Sequence, residues 1–169
     1  AFDFANAAHN GVRRRSGEPY ILHPISVAKI VVQEIGLGYK SIVSALLHDI
    51  VEDTEYTTED IERIFGAKIA SLVDGLTKIK SAFDSSSSGQ AENFKRIILT
   101  LNDDVRVILI KLADRLHNMR TIEYMPENKK AKILSETMYI FIPLAHRLGL
   151  YTIKSELENI WLMHTLPAE

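Results

Sequence analysis

Hydrophobic residues recur along this chain mostly at helical spacing. Apolar positions three or four residues apart dominate, and no segment shows sustained strand alternation between hairpin turns. This pattern predicts an all-α protein. Pro24 favours the first turn of a helix and Gly36 favours a C-terminal cap, so we expect one helix between them. A second helix should follow Gly38 and carry the apolar run 42–47 up to His48.

Capping residues, prolines and glycines bound the other predicted helices. These run from Thr57 or Thr58 to Phe65, from about Lys68 to Thr77, from about Ala91 to Tyr124 with a break at 102–104, from Pro126 to Arg147, and from beyond Gly149 to about His164. Residues 84–89 include four consecutive serines and offer nothing to a core. We therefore expect a mobile loop there.

Length and composition fit one globular domain. The chain has 169 residues, of which 46% are hydrophobic, so we expect a single domain over residues 1–169. Because it starts at Ala1 without a methionine, we expect a fragment of a longer protein. The net charge of −2 argues against a broad DNA-binding surface. With no cysteine, no signal peptide and no apolar run of about 18 residues, a cytoplasmic location is expected.

A group of potential metal ligands follows the apolar run of the second helix. His48 and Asp49 combine an imidazole with a carboxylate, which suits manganese, iron or zinc. Glu52 and Asp53 lie three and four residues after Asp49, so a continuing helix would bring all four side chains together. Such crowding is costly unless a positive charge lies among them. The alternative is a solvated acidic helix end, and these residues alone favour neither.

Another candidate ligand lies in the segment 105–121, which is apolar on nearly every face and is therefore predicted to be a central helix. Asp114 shares a stripe of this helix with Val107, Ile110, Asn118 and Thr121. A carboxylate on a buried stripe is costly unless it is paired or bound to metal. An ion pair with Arg115, Arg120 or another arginine is the alternative. His117 lies off the stripe, and we expect it to pack or to support a ligand.

A run of arginines, residues 13–15, precedes a turn at Ser16-Gly17. Guanidinium groups can bind phosphate oxygens or stack on a base, although such a run is more often solvated surface. His23 stands directly before Pro24, which is a rigid position from which to aim an imidazole. Alone, a histidine in that position would usually cap a helix or fill a core.

In combination, the order His23, His48-Asp49 and Asp114 resembles that of the HD metal-dependent phosphohydrolases. Four longer strings resemble the hydrolase domain of the RelA/SpoT family: RSGEPYILHP, HDIVEDT, ADRLHNMRT and PLAHRLG. The resemblance spans roughly residues 2 to 165. It implies an HD-domain helical bundle that acts on the alarmone (p)ppGpp of the bacterial stringent response. The implied reaction removes the 3′-diphosphate as pyrophosphate and leaves GDP or GTP.

The resemblance also implies roles for individual residues. The implied ligands of one Mn²⁺ are His23, His48, Asp49 and Asp114. The implied acidic pair required for hydrolysis is Glu52 and Asp53. The implied nucleotide-binding residues are Arg14, Arg15, Ser16, Asn118 and Thr121. Arg15 stands where the family more often has lysine, and either residue supplies a positive charge. The His-Asp and Glu-Asp motifs are both intact, which favours a working hydrolase.

Other functions stay open at this point. A different HD-type enzyme, such as a nucleoside monophosphate or cyclic-nucleotide phosphodiesterase, would need neither the RSGEPY string nor the Glu-Asp pair. The domain could instead be a non-catalytic nucleotide sensor, or a hydrolase switched off by attached domains. The expected partner is a guanine nucleotide, with no DNA and no membrane. Any ribosome contact would come through regions outside this chain.

Overall fold

Regular secondary structure is helical in the computed structural model, which describes residues 1–84 and 104–166. The α-helices are α1 (Phe2–Ala8), α2 (Leu22–Ile30), α3 (Tyr39–Leu47), α4 (Ile50–Asp53), α5 (Thr58–Phe65), α6 (Ala67–Asp84), α7 (Val105–Arg120), α8 (Glu127–Glu136), α9 (Ile142–Arg147) and α10 (Tyr151–Thr165). Within the described ranges there is no β-sheet, only an isolated antiparallel bridge between Arg13 and Pro19. The all-α prediction is confirmed.

The chain divides into two compact units, residues 1–113 and residues 114–169. The division falls within α7. The single domain expected over residues 1–169, and its origin as a fragment, stay predictions. None of the helices in the described ranges is long and apolar enough to cross a membrane.

The core of the first unit forms around α3, which contacts α2 and α6, while α5 packs against α6. Its buried members are Ala5, Ile21, Leu47, Ile50, Ile61, Ile69, Ala70 and Val73. Leu47, the last residue of α3, is fully buried, and so is Ile50 at the start of α4. Because core residues hold the chain on both sides, the two residues between them, His48 and Asp49, have a fixed position.

Local capping signals in the sequence placed several helix ends correctly. The helix that contains Pro24 extends through a π-helical turn, Val31–Ile35, and ends at Gly36, whose φ of 84° favours glycine. The helix begins at Leu22, so Pro24 is its third residue and lies in the first turn. Thr57 caps α5 in a reciprocal capping box with Asp60, as predicted for Thr57 or Thr58.

The predicted end of α6 at Thr77 is wrong, because the helix continues to Asp84. The Thr77 hydroxyl donates to the Val73 carbonyl at 3.1 Å, within the helix rather than as a terminator. Leu76 and Ile79 are buried and continue the apolar face beyond Thr77. The serine-rich loop predicted at 84–89 and the helical pattern predicted at 91–103 lie outside the described residues, apart from Asp84 itself.

The helices predicted from Pro126 to Arg147 and beyond Gly149 are both present in the second unit. A π-helical turn, Thr137–Phe141, joins α8 and α9 into one run, and α9 packs against α10. Its buried apolar side chains include Leu116, Met119, Ile140, Leu144, Ile153 and Leu157. The Arg115 guanidinium donates to Glu136 at 2.5 Å and lies 4.3 Å from the centre of the Phe141 ring. These contacts tie α7 to the α8–α9 run.

Gly75 of α6 lies against Val107 of α7. A Cβ atom at position 75 would lie 2.9 Å from Cγ2 and 3.2 Å from Cγ1 of Val107. We predict that Gly75→Ala lowers the free energy of unfolding by about 1 kcal/mol, because overpacking against a stiff β-branched side chain outweighs the gain in helix propensity. Urea unfolding measures the change. Val107→Ala should relieve the clash in a double-mutant cycle, and a stabilised Gly75→Ala variant would contradict the close packing.

The carboxylate of Asp104, which directly precedes α7, accepts two hydrogen bonds from the Arg106 guanidinium, at 2.8 and 3.0 Å. The Lys68 ammonium lies 2.6 Å from Oδ2 of the same carboxylate. The contact with Arg106 holds the pKa of Asp104 well below its ordinary value of 3.8. A lowered carboxyl pKa stabilises the folded state above the unfolded-state pKa, and this stabilisation is lost as the pH falls through the folded-state pKa.

We therefore predict that Asp104→Asn lowers the free energy of unfolding by about 1 kcal/mol at neutral pH, and that the difference from the wild type narrows below about pH 4. Urea unfolding at neutral and acidic pH measures both effects. Asp74→Asn is the control, because Asp74 pairs with Lys78, whose side chain is 73% exposed. A difference that stays constant down to acidic pH would contradict the prediction.

Candidate metal centre

His48 and Asp49 lie in a tight turn between two helices. Helix α3 ends at Leu47 and α4 starts at Ile50, so the continuous helix considered through position 53 does not form. The backbone nevertheless stays close to helical at both residues, and the Asp53 amide donates to the Asp49 carbonyl at 2.9 Å. His48 is 4% and Asp49 is 8% exposed. The turn thus buries an imidazole and a carboxylate side by side.

Three of the predicted ligands come together in the first unit. His23, His48 and Asp49 each offer a ligand atom, and these atoms all lie within 4.8 Å of one another. Oδ2 of Asp49 lies 2.9 Å from Nε2 of His48 and 3.9 Å from Nε2 of His23. Two imidazoles and one carboxylate form a donor set that first-row divalent cations accept. The residues present therefore fit a divalent metal ion.

The two histidines differ in how their second ring nitrogen is held. Nδ1 of His48 lies 2.6 Å from the Ala45 carbonyl, which only accepts, so Nδ1 carries the proton and Nε2 keeps a lone pair for a metal. Nδ1 of His23 lies 3.2 Å from the Arg14 guanidinium, which only donates. The His23 proton therefore lies on Nε2 in this arrangement. Metal coordination through Nε2 of His23 would require the other tautomer and a shift of Arg14.

Two residues with no role inferred from the sequence hold Asp49. The Tyr20 hydroxyl donates a short hydrogen bond to Oδ2 of Asp49. The Lys80 ammonium lies 3.5 Å from Oδ1 of Asp49 and also contacts the carboxylate of Glu52. The sequence does not mark Lys80, because the helix predicted there ends at Thr77, whereas α6 extends to Asp84. The need for a positive charge among these acids was the signal that pointed to such a residue.

Burial and neighbouring charges shift the pKa values of Lys80 and Glu52 in opposite directions at this centre. Burial lowers the pKa of Lys80, but Asp49 and Glu52 raise it further, so its pKa lies above the ordinary value and the ammonium stays charged. Burial raises the pKa of Glu52, although Lys80 opposes this rise. Burial also lowers the pKa of His9, whose ring centre lies 4.5 Å from that of Tyr20. His9 is a further buried residue beside the centre that the sequence did not single out.

The two members of the acidic pair have different surroundings. Glu52 is half-buried and contacts Lys80, whereas Asp53 is exposed. The Asp53 charge opposes the lowering of the His9 pKa by burial and adds to the rise of the Lys80 pKa that Asp49 and Glu52 cause, so Asp53 lies near both residues. Their predicted part in hydrolysis stays a prediction.

The arginine run lies in a turn next to the centre. Arg14 is half-buried, and its amide donates to the Glu18 carbonyl at 2.9 Å. Arg15 is exposed and Ser16 is half-buried on the same turn. Arg14 thus brings a positive charge to His23, as a site for an anionic substrate requires. Nucleotide binding by these residues stays a prediction.

The remaining predicted residues lie in the second unit. Asp114 is 5% exposed, and the Asn118 amide donates to its Oδ1 at 2.9 Å. The Thr121 hydroxyl donates to the His117 carbonyl at 3.1 Å. The two arginines considered as partners of Asp114 each bond another carboxylate, since Arg115 donates to Glu136 and Arg120 to Glu156. The role of Asp114 as a fourth ligand stays a prediction.

Comparisons with known proteins point to one family. The model of the protein family described as "HD domain" matches residues 1–151 of this chain. The chain is 49% identical over 161 residues to the bifunctional (p)ppGpp synthase/hydrolase SpoT of Escherichia coli (strain K12), an alignment that covers 95% of this chain and 23% of that protein. It is 48% identical over 174 residues to a GTP pyrophosphokinase of Myxococcus xanthus, covering 100% of this chain and 23% of that one.

The chain therefore spans 23% of the length of these curated relatives. A solved structure of a metazoan ortholog of SpoT, which hydrolyzes ppGpp and plays a role in starvation responses, matches with a TM-score of 0.70. The match covers 98% of this chain and 94% of that chain at 24% sequence identity. A likeness at this identity shows a shared fold.

We predict that Tyr20→Phe weakens the binding of a divalent cation to this chain about tenfold, because the phenol hydroxyl orients Oδ2 of Asp49. Isothermal titration calorimetry measures the affinity. Tyr39→Phe is the matched control, since Tyr39 lies at the start of α3 with 69% of its surface exposed. Equal affinity of the Tyr20→Phe variant and the wild type would show that the hydroxyl does not position the ligand.

Proposed function

The chain belongs to the HD-domain family, and we propose that it is a Mn²⁺-dependent hydrolase that removes the 3′-diphosphate of (p)ppGpp as pyrophosphate. The resemblance to the RelA/SpoT family is confirmed by the Escherichia coli relative at 49% identity. The observation that carries the proposal is the convergence of His23, His48 and Asp49 beside an intact Glu52-Asp53 pair. The products would be GDP or GTP.

Hydrolysis is preferred to synthesis because of the residues of this chain. The name of the Myxococcus xanthus relative states a synthetic activity, whereas relatives of Haemophilus influenzae and Aquifex aeolicus are named as guanosine-3′,5′-bis(diphosphate) 3′-pyrophosphohydrolases. A synthetic reaction has no evident use for a buried His-His-Asp group next to an acidic pair. A hydrolytic reaction uses both.

In this proposal the cation is held by His23, His48 and Asp49, with Asp114 as the fourth ligand. When bound, Mn²⁺ supplies positive charge to the phosphate and acidity to a water molecule. His48 is prepared for this role because the Ala45 carbonyl fixes its tautomer. Arg14 would leave His23 and turn to the phosphate, since a guanidinium binds phosphate oxygens more strongly than a neutral imidazole.

The acidic pair would accept the proton of the attacking water. Lys80 restrains Glu52, while Asp53 is exposed beside the centre, which favours Asp53 as the group that meets the water. Glu52 would then help to orient Asp53 and would balance the positive charge of Lys80. This division of roles is part of the proposal.

The nucleotide would be bound by residues around the centre. Arg14, Arg15 and Ser16 would face the guanine nucleotide, and Asn118 and Thr121 would lie near its ribose or phosphates. Their positive charge and hydrogen-bond donors suit a highly anionic substrate. A cytoplasmic location and a part in the stringent response belong to the same proposal, with any ribosome contact made outside this chain.

The decisive assay is incubation of the chain with Mn²⁺ and ppGpp, followed by measurement of released pyrophosphate, with EDTA as the metal-free control. We predict that Asp53→Asn lowers the turnover number about 10²- to 10⁴-fold, because a general base is lost, while Mn²⁺ and nucleotide still bind. Asp74→Asn, which removes a half-buried carboxylate of α6 that pairs with Lys78, should retain full activity.

A non-catalytic nucleotide-binding domain would give a different result. It would bind ppGpp but release no pyrophosphate with Mn²⁺, Mg²⁺ or Zn²⁺, and Asp53→Asn would then have no turnover to lose. Release of phosphate from nucleoside monophosphates or cyclic nucleotides instead of pyrophosphate from ppGpp would indicate another HD-type reaction. Either outcome would contradict the proposed function.

A further inference from the structure

Lys80 lies between two carboxylates that both belong to the candidate centre. Its ammonium is 3.5 Å from Oδ1 of Asp49 and contacts Oε2 of Glu52. The residue comes from α6, which packs against both α3 and α4, so its backbone is fixed relative to the turn that carries Asp49. Its side chain is 35% exposed, against 73% for Lys78 two residues earlier on the same helix.

The two oxygens of Asp49 have different neighbours. Oδ2 accepts a hydrogen bond from the Tyr20 hydroxyl and faces Nε2 of both His23 and His48. A metal would bind on this side of the carboxylate. Oδ1 faces Lys80. A carboxylate with an ammonium on one oxygen is poorly disposed to chelate a cation through both, because the cation and the ammonium would repel each other at short range.

Glu52 would itself be a competent ligand. Carboxylates bind first-row divalent cations, and Glu52 lies only three residues after Asp49. Its contact with Lys80 occupies Oε2, one of its two carboxylate oxygens, and holds the side chain at the ammonium. If Glu52 were drawn into the coordination shell, it could no longer support the orientation of Asp53.

We propose that Lys80 is a positioning residue that keeps Glu52 out of the metal coordination shell and restricts Asp49 to coordination through Oδ2. The inference rests on the proposed metal site, because it concerns how that site limits its own ligands. Lys80 also supplies the positive charge that crowded acidic side chains require. Its role is therefore to make the cation bind less tightly than the available carboxylates would allow, while leaving the acidic pair free for hydrolysis.

The test is a titration of Lys80→Met with Mn²⁺ alone, followed by electron paramagnetic resonance of the free ion. Removing the ammonium should make Mn²⁺ bind about tenfold more tightly, because one repulsive charge is lost and Glu52 becomes available as a ligand. With ppGpp as substrate, the turnover number should fall about tenfold. Lys78→Met removes the same charge from an exposed position of α6 and should leave the Mn²⁺ affinity unchanged.

A second variant identifies the extra ligand. Lys80→Met combined with Glu52→Gln should bring the Mn²⁺ affinity back to within about threefold of the wild type, because an amide is a much weaker ligand than a carboxylate. Lys80→Arg retains the charge and should also retain the wild-type affinity. If Lys80→Met does not fold, Lys80→Gln carries the same expectation, because it removes the charge but keeps a polar side chain.

Other results would overturn the inference. Unchanged Mn²⁺ affinity of Lys80→Met with a raised KM for ppGpp would make Lys80 a substrate contact. Weaker Mn²⁺ binding would mean that Lys80 orients Asp49 towards the metal rather than limiting its coordination. A wild-type chain that binds no Mn²⁺ would instead remove the proposed metal site, and the inference with it, so the two failures are distinguishable.

Discussion

The burial of Asp49 is the constraint on which the candidate centre depends. A carboxylate whose side chain is only 11% exposed is costly unless its charge is compensated. The fold meets this cost with a hydroxyl on one oxygen and an ammonium near the other. The two histidines add ring nitrogens on the Oδ2 side, where a divalent cation would offset the charge further. The buried charge thus organises side chains from three separate parts of the first unit.

Sequence patterns predicted the parts of the fold that local chemistry decides. Gly36 ends its helix because the backbone there takes a left-handed conformation, and Thr57 caps α5 through its own hydroxyl. His48 and Asp49 were recognisable because two good ligands follow an apolar run. The predicted end of α6 at Thr77 is wrong, because the sequence does not reveal that Leu76 and Ile79 are both buried on the same helix. The burial of these two apolar side chains favours continuation of the helix beyond Thr77.

Lys80 and Tyr20 show why the rest of the centre could not be predicted. Lys80 is far from Asp49 in sequence, and only the packing of α6 against α3 and α4 brings the two together. Tyr20 stands within the RSGEPYILHP string, but spacing does not reveal which carboxylate oxygen accepts a hydrogen bond from its hydroxyl. The crowding of acidic residues in the sequence indicates that a compensating positive charge is needed, but not which residue supplies it. For Asp114, the sequence alone supports a role as fourth ligand.

The most direct test of the central claim is anomalous diffraction at the manganese absorption edge from crystals of the chain grown with Mn²⁺. One strong peak is predicted within bonding distance of a ring nitrogen of His23 and of His48 and of Oδ2 of Asp49. A peak at any other place, or its absence at saturating Mn²⁺, would contradict a metal centre at the turn between α3 and α4.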